Sequence, residues 1–200
     1  FYLFAGILGG AGASIVAYHM FSHVRTRVIA FLHPWSNIND SGYQITQSLF
    51  AIGTGGWFGL GIDQGDPTSI PYVEQDFVFS AVAEEMGVIF GICLILVCVS
   101  CFIVFMKIAM QLKEDFYRYI AVGISTIYIF QVFLTIGGGT RFIPLTGVTL
   151  PLVSYGGSSV LTTIIMFSII QGLYCIQSQE GKRNARKERR RTADREAGEE

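Results

Sequence analysis

The chain has 200 residues, of which 51% are hydrophobic and only 14% are charged. Soluble domains contain about a quarter of charged residues, so this composition excludes an ordinary soluble domain and indicates a chain that lies in a lipid bilayer. The net charge of −1 hides a strong segregation of basic and acidic residues along the chain.

Four apolar runs are long enough to cross a membrane as helices, at residues 1–22, 79–106, 118–137 and 158–177. The chain opens at Phe1 without a charged n-region, so we interpret it as the C-terminal part of a longer protein rather than as a signal peptide. Eleven of the 14 Lys and Arg residues lie between Lys107 and Arg118 or after Gln179. The positive-inside rule therefore predicts a cytoplasmic tail and an extracellular loop.

These features predict a single membrane domain, residues 1–178, with a large extracellular loop at 23–78 and a basic cytoplasmic tail at 179–200. We interpret the tail as a topology anchor that touches anionic lipid, since nothing else in the chain supports nucleic-acid binding. The loop is too long for a passive connection.

A short helix is predicted inside the loop, where Asp40 and Ser41 can cap its first turn. Its length of about 12 residues favours an interfacial or re-entrant helix over a fifth span. One face is apolar and consists of Ile45, Leu49 and Ile52. The opposite face is polar and consists of Gln44, Gln47 and Ser48. Glycines at 53, 55 and 56 are expected to end the helix.

Acidic residues at the start of the second span are the candidates for proton chemistry, because carboxylates at a membrane boundary are costly unless they are paired or functional. Partial desolvation could raise the pKa of Asp76 into the range of a general base. A helix N-cap explains Asp76 equally well. Glu84 lies too far along the helix to form a close carboxylate pair with Asp76. Glu84 and Glu85 are expected to pair with basic residues elsewhere, and Glu84, like Gln44, is also a candidate substrate contact.

Three arginines on the predicted extracellular side, Arg25, Arg27 and Arg141, could bind a phosphate-bearing ligand or anchor the chain at the interface. Arg141 is our candidate substrate contact among them. His19 and His23 have metal-binding spacing, but interfacial packing is the simpler interpretation. Cys98 and Cys101 lack a second ligand pair, so a zinc site is not expected.

Residues 141–159 separate the last two spans and contain two prolines and three glycines. Non-helical backbone at membrane depth is tolerated where it is buried in protein or lines a wet cavity, so the break indicates a polar substrate. Ser154, Gly156, Gly157 and Ser158 could present backbone amides to an anion. Capping of the last span by Ser158 is the alternative.

The run Pro144–Ser159, PLTGVTLPLVSYGGSS, resembles the signature of the SEDS family, which includes FtsW, RodA and SpoVE. Segments Arg27–Pro34, Gly42–Gly56 and Asp76–Gly87 agree with the family in the same order. The resemblance implies an all-α integral membrane protein of the bacterial plasma membrane, equivalent to the last four spans of a ten-span fold. Asp76 corresponds to the essential carboxylate of the family's Asp-Phe-Ile-Phe motif. Gln75 and His33 depart from the Thr and Asp that are common at their positions.

The resemblance also implies a function, which is glycosyl transfer that polymerises lipid II in cell division, elongation or sporulation. Asp76 would be the catalytic base, and undecaprenyl-pyrophosphate-linked glycan would be the donor. The leaving pyrophosphate would need an arginine or a divalent cation, Mg²⁺ or Mn²⁺, which Asp76 could alternatively help to hold. A class B penicillin-binding protein transpeptidase is the expected partner. A lipid II flippase and a non-catalytic scaffold for a transpeptidase are the alternatives. This chain alone is expected to be inactive, with residues 141–159 forming a wall of the substrate cavity.

Overall fold

The computed structural model describes residues 2–38 and 42–196, and within these ranges it consists of helices and turns without a strand. The α-helices are α1 (Tyr2–Met20), α2 (Ser22–Leu32), α3 (Tyr43–Gly55), α4 (Val78–Gln111), α5 (Asp115–Gly139) and α6 (Gly157–Glu196). Short 3-10 helices lie at Pro34–Asn37 and Pro67–Ser69. The all-α class predicted from the sequence is therefore confirmed.

Three helical segments are long and apolar enough to cross a membrane, namely Val78–Gln111, Asp115–Gly139 and Gly157–Gln179. A fourth candidate is the pair of α1 and α2, which bends by 100° between Met20 and Ser22. The sequence analysis predicted the apolar α1 but placed the α2 residues in a loop. Hydropathy alone does not predict α2, because the apolar run ends at its polar residues although the backbone stays helical. These polar residues are Ser22, His23, Arg25 and Arg27.

The described residues divide into two compact units. The first comprises residues 1–94 and 131–155, and the second comprises residues 95–130 and 156–200. In the second unit, the rings of Phe105, Tyr128 and Phe167 pack edge to face, with centroids 4.9 to 5.8 Å apart. The α6 backbone continues without a break from the predicted span into the basic tail as far as Glu196.

The first unit is built around a small apolar cluster of Ala51, Ile70 and Phe77, against which Val73 and Leu145 pack. This cluster joins α3, the segment before α4, and the segment after α5. Ile70 and Phe77 are each 1% exposed, so both ends of the segment 70–77, which leads into α4, are anchored in the core. Removal of these large side chains from solvent is the main stabilising contribution at this point.

Helix α3 differs from the prediction in which face is buried. Ser48 was placed on the polar face, yet it is fully buried, because α4 and the end of α5 cover it. Its hydroxyl donates to the Gly139 carbonyl at 2.8 Å and shares a hydrogen bond with the Ser80 hydroxyl. Asp40 and Ser41, the predicted capping residues, lie outside the described residues.

Helix α4 is broken at Gly87, where the sequence predicted a continuous span. Gly87 has φ +85° and ψ 167°, a conformation open essentially only to glycine. The loop after α3 satisfies the backbone groups freed by the break: Leu60 N–H donates to the Glu84 carbonyl and Val88 N–H donates to the Gly56 carbonyl, both at 2.9 Å. A broken helix is stable at membrane depth only when such partners exist.

Candidate active site

Asp76 is held at the end of a tight turn that precedes α4. The N–H groups of Gln75 and Asp76 both donate to the Tyr72 carbonyl, at 3.0 and 3.2 Å. The next residue, Phe77, is buried in the core of the first unit and so anchors the position of Asp76. The turn therefore presents the carboxylate at a fixed place ahead of the helix.

The helix-capping alternative for Asp76 finds no support in the first turn of α4. There the N–H groups of Ser80 and Ala81 donate to the carbonyl of Phe77, at 2.9 and 3.2 Å. Because α4 begins at Val78, the capping position is that of Phe77 rather than Asp76. The carboxylate is thus left for another role.

Arg27 from α2 lies beside Asp76 and next to the signature segment. One guanidinium nitrogen of Arg27 donates to the Leu145 carbonyl at 3.1 Å. Gly147 has φ +76°, and a Cβ placed on it would lie 3.4 Å from Arg27 Nη2 and 3.6 Å from Asp76 Oδ2. Both charged groups therefore lie against the backbone of Gly147.

Arg27 and Asp76 do not pair directly. The salt bridge found within the described part of the chain joins Arg118 to Asp115. Burial raises the pKa of the Asp76 carboxyl above its usual value of 3.8, and the Arg27 charge partly offsets this increase. A carboxylate with a raised pKa is a better proton acceptor, as a general base requires.

Asp76 and Arg27 open onto a cavity of about 560 Å³, within the range of small-molecule sites. All of its lining residues belong to the first unit. They are Thr26, Arg27, Ala30, Tyr43, Gln44, Ile45, Pro71, Tyr72, Gln75, Asp76 and Leu145. Gln44, a substrate contact suggested by the sequence, is therefore brought together with Asp76.

Two other predicted site residues are engaged in holding the fold of the first unit. Arg141 is half-buried, and its Nε donates to the Phe31 carbonyl near the end of α2 at 3.1 Å. Ser154 is 4% exposed, and its hydroxyl accepts a hydrogen bond from Leu150 N–H at 2.8 Å. Neither residue lines the cavity around Asp76.

Gly156, Gly157 and Ser158 lie at or just before the start of α6 in the second unit. The Ser158 carbonyl accepts a hydrogen bond from the Thr162 hydroxyl at 2.8 Å, which is an ordinary contact within a helix. Anion binding by these three residues stays a prediction.

Glu84 lies under the loop after α3 and is only 7% exposed. Its Oε1 accepts a hydrogen bond from Asp66 N–H at 3.3 Å, whereas its Oε2 has no partner among the described residues. Glu84 does not line the cavity. The pairing of Glu84 with a basic residue outside this chain stays a prediction.

The donor atoms around Asp76 do not form a metal site made by the protein alone. No group of three or more His, Cys, Asp or Glu residues able to hold a metal occurs in the part of the chain that the structure describes. The charged neighbour of Asp76 is Arg27, a cation.

Sequence reasoning did not identify every residue of this site. Arg27 was one of three arginines on the predicted extracellular side, and Arg141 was the one named as a candidate substrate contact. Tyr43 and Tyr72 were not considered. A tyrosine four positions before the motif aspartate, on the same turn, was the signal available for Tyr72.

Comparison with known proteins supports the resemblance seen in the sequence. The family model described as FTSW_RODA_SPOVE, cell cycle protein, matches residues 1–179. The chain is 41% identical over 161 residues to the peptidoglycan glycosyltransferase RodA of Mycobacterium tuberculosis, covering 80% of this chain and 34% of that protein. It is 45% identical over 151 residues to the probable peptidoglycan glycosyltransferase FtsW of Francisella salina, covering 72% and 37%.

A solved structure has the same fold. A chain from a peptidoglycan synthase complex that coordinates polymerization and crosslinking superposes with a TM-score of 0.71 at 26% identity, covering 89% of this chain and 50% of that one. The chain thus spans about a third of the length of the two relatives and half of the solved chain. On the match of the family model over residues 1–179, this membrane protein belongs to the FtsW/RodA/SpoVE family.

Proposed function

We propose that the full-length protein is a peptidoglycan glycosyltransferase that polymerises lipid II into glycan strands. One observation carries the proposal: a half-buried carboxylate, Asp76, and a cation, Arg27, meet at one cavity beside the family's signature segment. The relatives named as peptidoglycan glycosyltransferases support it.

In the proposed reaction, Asp76 accepts the proton of the 4-hydroxyl on the GlcNAc of an incoming lipid II. The freed oxygen forms a bond to the anomeric carbon of the donor, which is the growing glycan on undecaprenyl pyrophosphate. The bond from that carbon to the pyrophosphate oxygen breaks, and the pyrophosphate leaves with the electron pair.

Arg27 is suited to stabilise the negative charge that develops on the leaving pyrophosphate, since a guanidinium binds phosphate oxygens in a fixed geometry. Its contact with the Leu145 carbonyl orients the guanidinium beforehand. In the alternative role, Asp76 would help to hold Mg²⁺ or Mn²⁺ rather than accept the proton, and the cation would supply positive charge to the leaving pyrophosphate.

We further propose that the cavity faces the outside of the bacterial plasma membrane, with the loop at 23–78 extracellular and the basic tail cytoplasmic. The distribution of Lys and Arg supports this orientation. The proposed partner is a class B penicillin-binding protein transpeptidase, supported by the similarity to a chain of a peptidoglycan synthase complex.

The test is polymerisation of lipid II by the purified full-length protein in liposomes. Asp76→Asn keeps the shape of the side chain but removes the base, so glycan polymer on gels should disappear while lipid II still binds. Glu74→Gln is the matched control, because Glu74 is an exposed carboxylate on the same turn that does not line the cavity. Wild-type amounts of polymer from Asp76→Asn would refute the proposal, and lipid II translocation without polymer would favour a flippase.

A further inference from the structure

We propose that Tyr72 is a sugar-binding platform that determines how the cavity recognises the glycan part of its substrate. The inference rests on the proposed function for the identity of the sugar. It goes further in assigning ring recognition to a residue that lies outside the family motifs seen in the sequence.

The backbone of Tyr72 is in a conformation that tyrosine disfavours. Its φ is +60°, in the left-handed region where glycine, asparagine and aspartate are the residues usually found. The turn Ile70–Val73 needs this conformation, because Tyr72 is its third residue, after Pro71, and the turn is closed by a hydrogen bond from Val73 N–H to the Ile70 carbonyl at 3.2 Å. Glycine would form the same turn with less strain, so the turn does not explain the presence of a large ring.

The side chain of Tyr72 also gains little from packing, since it is 67% exposed. It lies instead on the wall of the cavity that contains Asp76. Residues with strained backbone are concentrated at binding and catalytic sites. An exposed ring on a strained backbone at the cavity wall therefore points to contact with a ligand.

The neighbours of Tyr72 indicate the class of ligand. Tyr43 lines the same cavity and is held in place by a hydrogen bond of its hydroxyl to the Ser69 carbonyl at 3.3 Å. The amides of Gln44 and Gln75 add hydrogen-bond donors and acceptors to the lining. These aromatic faces and neutral amides lie in the same cavity as Arg27, and they offer partners for an uncharged polar ring beside the charged group.

A pyranose ring fits such a lining. Its C–H groups carry partial positive charge and pack on the negative face of an aromatic ring, while its hydroxyl and acetamide groups pair with side-chain amides. Because the Tyr72 carbonyl accepts a hydrogen bond from Asp76 N–H, the two residues share one turn, and a sugar packed on the Tyr72 ring would lie next to the proposed base.

Binding of two ligands to the full-length protein in detergent tests the proposal without requiring turnover. Lipid II carries the sugars, and undecaprenyl phosphate carries only the lipid and the phosphate. Tyr72→Gly should weaken lipid II binding roughly three- to tenfold, the loss expected for one aromatic contact, and leave undecaprenyl phosphate binding unchanged. Tyr72→Phe should bind both ligands as the wild type does.

Thermal stability separates this role from a structural one. Tyr72→Gly relieves the left-handed strain, so its melting temperature should equal or exceed that of the wild type. Unchanged lipid II binding, or an equal loss for both ligands, would overturn the proposal. A failure of the proposed function is detected in a different experiment, as glycan polymer made by Asp76→Asn. That result would not change the difference in binding between lipid II and undecaprenyl phosphate.

Discussion

Arg27 and Asp76 approach the same bare backbone position, Gly147, from different elements of the first unit. A Cβ at that position would lie 3.4 Å from Arg27 Nη2 and 3.6 Å from Asp76 Oδ2. The signature segment thus contributes a surface without a side chain, against which a cation and a carboxylate are placed.

Gly147→Ala should reduce polymerisation strongly. The φ of +76° at Gly147 costs an alanine about 1–2 kcal/mol, and relief of this strain would shift the backbone against which Arg27 and Asp76 lie. We expect a loss of tenfold or more in kcat/KM together with a lower melting temperature. Gly53→Ala in α3 is the control, because no atom lies within 4 Å of the place its methyl group would occupy, and it should behave as the wild type. Full activity of Gly147→Ala would contradict this account of the site.

The pH dependence of kcat/KM should report the pKa of Asp76. Since the base must be ionised, activity should rise with pH, with a midpoint above the usual Asp value of 3.8. Arg27 lowers this pKa, so Arg27→Gln should move the midpoint of its residual activity to higher pH. Arg25→Gln, which removes an exposed charge from the same helix, should leave the midpoint in place. A midpoint that moves to lower pH in Arg27→Gln would refute the assignment.

The raised pKa of Asp76 should also lower the stability of the protein as pH rises, whereas the activity should increase with pH. The folded state favours the protonated form of Asp76, so its contribution to the free energy of unfolding should decrease as pH rises from the usual value of 3.8 through the raised pKa. Asp76→Asn should remove this part of the pH dependence. Thermal unfolding in detergent between about pH 4 and 7, compared for the two proteins, measures it.

Gly87→Ala should destabilise the first unit by about 2–4 kcal/mol, because the backbone conformation is strained for alanine and the methyl group would lie 2.4 Å from the Trp57 carbonyl oxygen. The melting temperature in detergent gives the effect. Gly123→Ala in α5, where an added methyl group would have no neighbour within 4 Å, should be neutral or stabilising. Equal melting temperatures for the two variants would show that the break in α4 is not held by the loop.

The buried hydroxyls of Ser48 and Ser80 should be coupled energetically. Ser48→Ala leaves the Gly139 carbonyl and the Ser80 hydroxyl without this partner in a buried place, so we expect a loss of about 1–3 kcal/mol. The double variant should lose less than the sum of the two single variants. Additive losses in a double-mutant cycle would mean that the hydroxyls do not interact.

Much of this structure follows from local properties of the sequence. Runs of apolar residues specify membrane helices because each residue contributes to transfer into lipid independently of distant contacts. The prediction of α3 also succeeded, since periodicity is local. Its buried face was wrong at Ser48, because periodicity does not reveal that Ser80 and Gly139 provide hydrogen-bond partners for a hydroxyl group.

The sequence by itself determined the all-α membrane class, the family and Asp76 as the proposed base, because each can be predicted from hydropathy or from a contiguous motif. Only the tertiary structure distinguished the arginines: Arg27 lies at Asp76, whereas Arg141 binds the Phe31 carbonyl. The tertiary structure also placed the ring of Tyr72 on the cavity wall and broke α4 at Gly87. These features depend on contacts between residues far apart in the chain, and such contacts are decided by how helices and loops pack rather than by local preference.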